Sequence, residues 1–130
     1  VGSEKKDTDE SIAAERYIRG VMVHTLEEGM QSLTKGDLAR ARAELEIAAE
    51  CTPDDGFVLY QLARAYALGK DQRRALTVLR ESVENGFSDL DQLEKKSDFA
   101  ALRSEADYTR IVDMLKQRLV VSPTAAKRSR

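Results

Sequence analysis

Gly29-Met30-Gln31-Ser32-Leu33-Thr34-Lys35-Gly36-Asp37-Leu38-Ala39-Arg40-Ala41-Arg42-Ala43-Glu44-Leu45 and, 34 residues further on, Ala63-Arg64-Ala65-Tyr66-Ala67-Leu68-Gly69-Lys70-Asp71-Gln72-Arg73-Arg74-Ala75-Leu76-Thr77-Val78-Leu79 are two copies of one pattern. A small residue, an aspartate, an arginine, an alanine and a leucine recur in register, and Glu50 and Glu84 extend the match. A fixed period of this length signals stacked helical hairpins, not one irregular core. Such units present surfaces more often than they carry chemistry, so the period points to binding another chain.

Working outward, Asp7 with Glu10 makes a capping box, and residues 1–7 before it are a polar tail. Ile12, Ile18, Val21, Met22, Leu26, Met30 and Leu33 then recur at helical spacing, which predicts one amphipathic helix reaching to about Lys35 and ended by Gly36. Asp37 caps a second helix with Leu38, Ala41, Leu45, Ala48 and Ala49 on its packing face, stopping near Cys51. Thr52-Pro53-Asp54-Asp55 starts a third, with proline in the first turn and the acids at the positive end of the helix dipole. Gly69 ends it, Asp71 caps a fourth, and Asn85-Gly86 gives a left-handed terminus.

Beyond Gly86 the period fails. Ser88 with Asp91 and Ser104 with Asp107 predict a short helix near 88–95, a turn around Asp98-Phe99, and a final helix over about 105–119. That helix places Tyr108, Ile111, Val112, Leu115 and Leu119 on one side, a cap for the preceding hairpin. Residues 121–130 are small, polar and basic, with no apolar period, so disorder is expected there. The helical domain thus runs over 8–120, with repeats over about 22–53 and 56–87 and a cap over 88–120.

Composition narrows the function. With 21 basic against 23 acidic residues the net charge is −2, so no electrostatic excess draws the chain to nucleic acid or anionic lipid. Cys51 is the only cysteine, which excludes an intrachain disulfide and a thiolate metal cluster within one copy. No apolar run approaches the ~18 residues that span a bilayer, so membrane insertion is not expected. The chain begins at Val1, a start that fits an excised or processed part of a longer protein. The compartment is left open: the cytoplasm is favoured, and the periplasm fits if the chain is a fragment.

The two hairpins resemble the tetratricopeptide repeat. Gly29, Gly36, Ala41, Ala48 and Pro53 fill its places in the first copy, and Leu62, Ala63, Tyr66 and Ala75 match in the second. The second departs at Gly69, one residue early, at Ser82 for an alanine and at Phe87 for the proline; the first departs at Thr25, Glu28 and Ser32. The segment Gly86-Phe87-Ser88-Asp89-Leu90-Asp91, with Asp98-Phe99-Ala100-Ala101-Leu102-Arg103 and Tyr108, is similar to a block that closes many bacterial repeat arrays. The resemblance implies an all-α, short right-handed superhelix of antiparallel hairpins, with a long N-terminal helix and C-terminal capping helices, whose A helices line a concave groove.

In that family ligands contact the inner side of the A helices, which implies a protein-binding set here of Val23, Leu26, Met30, Leu33, Phe57, Tyr60, Arg64 and Leu68. An apolar groove with one arginine and one tyrosine suits an amphipathic helix or extended peptide. The competing expectation is that the first helix or the cap already fills it. Family members that clamp the C-terminal carboxylate of heat-shock chaperones use lysine and asparagine on the first A helix and asparagine on the second; Leu26, Met30 and Gln61 stand there, which argues against clamping.

The remaining polar residues have ordinary explanations. His24, the only histidine, lacks a nucleophile turn or a partnering acid at a recognisable spacing. Asp89, Asp91 and Glu94 lack the glycine of a calcium loop and read as helix-start charges. Arg73, Arg74 and Arg80, with Asp71 and Glu81 beside them, read as a solvated helix face. No catalytic, cofactor or metal residue is therefore expected. The leading expectation is a non-enzymatic module that binds a peptide or helix of a protein partner; the alternative is self-association as a homodimer, or docking onto another domain of a larger polypeptide, through the long first helix.

Overall fold

The computed structural model describes residues 9–95 and 97–121. Among them the chain is helical throughout: α1 (Asp9–Lys35), α2 (Leu38–Cys51), α3 (Gly56–Leu68), α4 (Gln72–Glu84), α5 (Leu90–Lys95), a 3-10 segment (Ser97–Leu102) and α6 (Ala106–Val121). Asp7, the expected N-terminal tail and residues 122–130 lie outside the described residues; Val121, placed in the C-terminal tail, is instead the last residue of α6. Each helix packs on the next through α4; the 3-10 segment lies on α3, and α6 covers α4 and touches α5.

Turn chemistry repeats as faithfully as the apolar pattern. Asp37 Oδ1 accepts from the Arg40 amide and Asp71 Oδ1 from the Arg74 amide, both at 3.3 Å and one period apart. At the preceding helix ends, the Asp37 amide donates to Ser32 O and the Asp71 amide to Tyr66 O, each at 2.9 Å. The Phe87 amide closes α4 in the same way on Ser82 O. This closure requires one residue in the left-handed region, supplied by Gly36 at φ +81° after α1 and Gly86 at φ +103° after α4. Gly69 ends α3 as expected, and the left-handed residue after it is Lys70, at φ +64°. The glycine stands one place early, and the side-chain-bearing residue takes the strained backbone.

Three other starts move by a residue or more. Pro53 and Asp54 lie in a turn ahead of α3, whose cap is Asp55, with Oδ1 accepting from the Phe57 and Val58 amides at 3.0 and 3.2 Å. Asp89, not Ser88, caps α5 through the Gln92 amide at 3.1 Å. The turn expected at Asp98-Phe99 is the 3-10 segment, and α6 begins at Ala106, with the Thr109 amide donating to Glu105 O. A carboxylate accepts amide hydrogens at least as well as a hydroxyl, so Asp89 takes the role from the neighbouring Ser88.

The core runs through both hairpins and the cap. Ala41, Leu45 and Ala48 of α2, Ala75, Leu79 and Val83 of α4, and Tyr108, Ile111, Val112 and Leu115 of α6 are buried as their spacing requires. Small residues set the closeness of the hairpins. A Cβ on Gly29 would stand 2.6 Å from Leu45 Cγ, and one on Gly56 would stand 2.7–2.8 Å from backbone atoms of Ser82, Asn85 and Phe87. Across the first hairpin the Ser32 hydroxyl donates to Glu44 Oε1 at 3.0 Å. Between α2 and α3 the Arg42 guanidinium lies 5.1 Å over the Tyr66 ring and pairs with Glu46 at 3.2 Å.

Candidate protein-binding surface

The residues expected to line one groove divide into a closed half and an open half. Tyr60 is fully buried: its ring stacks on Phe87 at a centroid distance of 4.0 Å and meets Phe99 of the 3-10 segment at 5.7 Å. Arg64 is engaged as well, its Nε donating to Asp98 Oδ2 at 2.5 Å and its Nη1 to Gln61 Oε1 at 2.7 Å. The cap therefore occupies the face of α3 on which Tyr60 and Arg64 were expected to meet a ligand. Leu33 is buried in the core, while Leu26 and Leu68 are half-buried against it. Met30 is half-buried too.

Val23 and Phe57 remain open. They are equivalent positions, one period apart, and 41% and 46% exposed. Gly29 and Ser32 meet α2 at Leu45 and Glu44, so the antiparallel α2 ends, at Cys51, beside the low twenties of α1. Val23 and Phe57 thus share the end of the hairpins. From residue 20 back to Asp9, α1 runs on without a buried residue, and Ile12, Tyr17 and Ile18 are exposed. Tyr17, 74% exposed, escaped the sequence reading because it lies off the apolar stripe that defined the helix.

The buried polar groups beside the closed half have specific environments. The Tyr60 hydroxyl has no hydrogen-bond partner among the described residues. Burial, then the neighbouring Asp98 against the opposing Arg64, pushes its pKa up to about 12. Burial also raises Tyr66, helped by Glu46, and Tyr108. The Tyr108 hydroxyl donates to Leu93 O at 2.8 Å and so ties α5 to α6. Ser82, where the repeat pattern has alanine, is buried with its hydroxyl donating to Leu79 O at 2.6 Å.

A second concave surface lies between α4 and α6, a groove of about 700 Å³. Arg73, Leu76 and Arg80 line one wall; Asp107, Arg110, Ile111 and Met114 line the other. Arg73, Arg74 and Arg80 are all solvent-exposed, as expected; Arg74 does not line this groove and pairs with Asp71 at 3.7 Å. The groove was missed because its walls come from segments separated by more than twenty residues, with no shared motif. Among the described residues no three histidine, cysteine or acidic side chains stand together as a metal site. No helix there is long and apolar enough to cross a membrane. Comparison with protein-family models, with curated proteins and with solved structures returns no match for this chain.

Proposed function

We propose that the chain is a non-enzymatic protein-interaction module, built of two tetratricopeptide-like hairpins, that binds a peptide or helix of a partner protein. The observation that carries this reading is the uncovered end of α1 together with Phe57. Ile12, Tyr17, Ile18 and Val23 expose large apolar side chains next to an aromatic ring at the equivalent place of the second hairpin. A stretch of about twelve residues is marginal as an isolated helix in water, and Gly20 within it costs about 1 kcal/mol relative to alanine. A partner that covers this stretch supplies the burial that its own chain does not.

The binding surface is thus shifted along the expected groove. Val23 and Phe57 stay in it; Tyr60 and Arg64 are taken up by contacts with the C-terminal cap. The test is affinity capture from the native source with the intact chain and with Tyr17→Glu combined with Phe57→Glu. Loss of the captured protein by the variant, with its circular dichroism unchanged, is the expected result. Retained capture means that the surface lies elsewhere.

The same overhang favours a second reading, in which α1 self-associates as a homodimer or docks on another domain of a longer polypeptide. Light scattering over a concentration series separates these uses. A mass that doubles with concentration, and no longer does so in Ile18→Glu, assigns the overhang to a second copy.

A further inference from the structure

The groove between α4 and α6 has a chemistry different from the α1 surface. Arg73, Leu76 and Arg80 stand at i, i+3 and i+7 of α4, so they share one face, with the two guanidinium groups two turns apart, about 10 Å along the axis. Both arginines are exposed and have no ion-pair or hydrogen-bond partner for their side chains among the described residues. Between them the floor is apolar: Leu76 and Met114 are half-buried, and Ile111 is buried. On the α6 wall Arg110 is held by Asp107 at 3.1 Å, which leaves Glu105 as the acid lining the groove whose side chain has no ion-pair or hydrogen-bond partner among the described residues. A volume of about 700 Å³ is within the range of sites that bury several side chains of a ligand.

We propose that this groove docks an acidic amphipathic helix of a protein partner. Carboxylates at i and i+7 of the incoming helix meet Arg73 and Arg80, and apolar residues at i+3 and i+4 lie on Leu76, Ile111 and Met114. The rise per residue is the same on both helices, so the spacing of the acids reproduces that of the arginines. Arginine suits the role because its planar fork binds a carboxylate through two parallel hydrogen bonds. Two positive charges on an apolar floor discriminate against basic helices more strongly than they add affinity for acidic ones. The site does not depend on the α1 surface and stands or falls separately from it.

The probe is a synthetic helical peptide with Glu at i and i+7 and Leu at i+3 and i+4, compared with the same peptide carrying Lys in place of Glu. Binding to the full chain is read by fluorescence anisotropy. Saturable binding of the Glu peptide is expected, weakening with added salt and falling by about tenfold or more in Arg73→Glu combined with Arg80→Glu. Arg74→Glu, which lies off the groove, is expected to leave affinity unchanged, and so is Tyr17→Glu. Equal binding of the Lys peptide, no saturable binding of the Glu peptide, or affinity indifferent to the double substitution overturns the proposal. So does binding to phosphatidylserine vesicles that depends on the same two arginines, since that assigns the groove to a lipid surface.

Discussion

α1 and α3 hold equivalent places one period apart, yet they live in different surroundings. Of the 27 residues of α1 only Gly29, Ser32 and Leu33 are buried, whereas nine of the 13 in α3 are. The difference comes from neighbours. α3 lies between α2 and α4 and is covered on a further side by the 3-10 segment; α1 has α2 along its C-terminal half and a light contact with α3. The comparison teaches that the repeat pattern specifies how a hairpin closes on itself, while the surface left for a partner is decided by what flanks the hairpin.

The largest expected effect separates the two glycine contacts. At Gly29 an added methyl group meets the Leu45 side chain, which can change rotamer; at Gly56 it meets three backbone atoms that cannot. Gly56→Ala is therefore expected to cost about 3 kcal/mol, and Gly29→Ala about 1, part of the clash being offset by alanine's helix propensity. Urea unfolding measures both. Equal costs would mean that the second hairpin is no more rigidly enclosed than the first.

The ion pair that closes the face of α3 comes next. Asp98→Ala leaves a partly buried arginine with Gln61 alone and is expected to cost about 2 kcal/mol in the same assay. It also frees the 3-10 segment, so amide exchange around Phe99 is expected to accelerate more than exchange in α2. An unchanged exchange pattern would show that aromatic packing on Tyr60 holds the cap without Arg64.

Smaller effects attend the helix ends. Lys70→Gly relieves a left-handed backbone and is expected to stabilise by up to about 1 kcal/mol, whereas Gly36→Lys at the equivalent place destabilises by about as much. Opposite signs in thermal unfolding would confirm that both turns close alike. Tyr60→Phe removes a buried hydroxyl without a partner and is expected to be neutral or slightly stabilising near neutral pH. Because the folded state holds the Tyr60 proton up to about 12, against an ordinary 10, the wild-type chain is expected to lose stability as pH rises from 10 through 12. The substitution lessens that loss without abolishing it, since Tyr66 and Tyr108 are shifted in the same direction.

Local features were legible in the sequence because local chemistry determines them. The caps at Asp37 and Asp71, the Gly36 turn and the buried faces of α2 and α6 follow from spacing alone. Lys70 was half legible: the repeat pattern shows Gly69 standing one residue early, but only the closure of α3 shows that the left-handed backbone then falls on Lys70. Gly56 gave no signal, since its role depends on the backbone at 82–87 approaching it. The candidate surface was half legible. Val23 and Phe57, expected on the groove, are exposed, but the burial of Tyr60 depends on Phe87 at the end of its repeat and on Phe99 beyond it. The α4–α6 groove depends on two distant segments meeting, which periodicity does not encode.

Hydrogen exchange followed by mass spectrometry, on the free chain and on the chain bound to a captured partner, asks most directly whether the uncovered end of α1 is the working surface. In the free chain, amides over 9–20 are expected to exchange fast and those of α3 slowly; in the complex, protection is expected to rise over 9–23 and at the start of α3. Fast exchange over 9–20 that persists in the complex, with protection gained only elsewhere, would contradict the proposal.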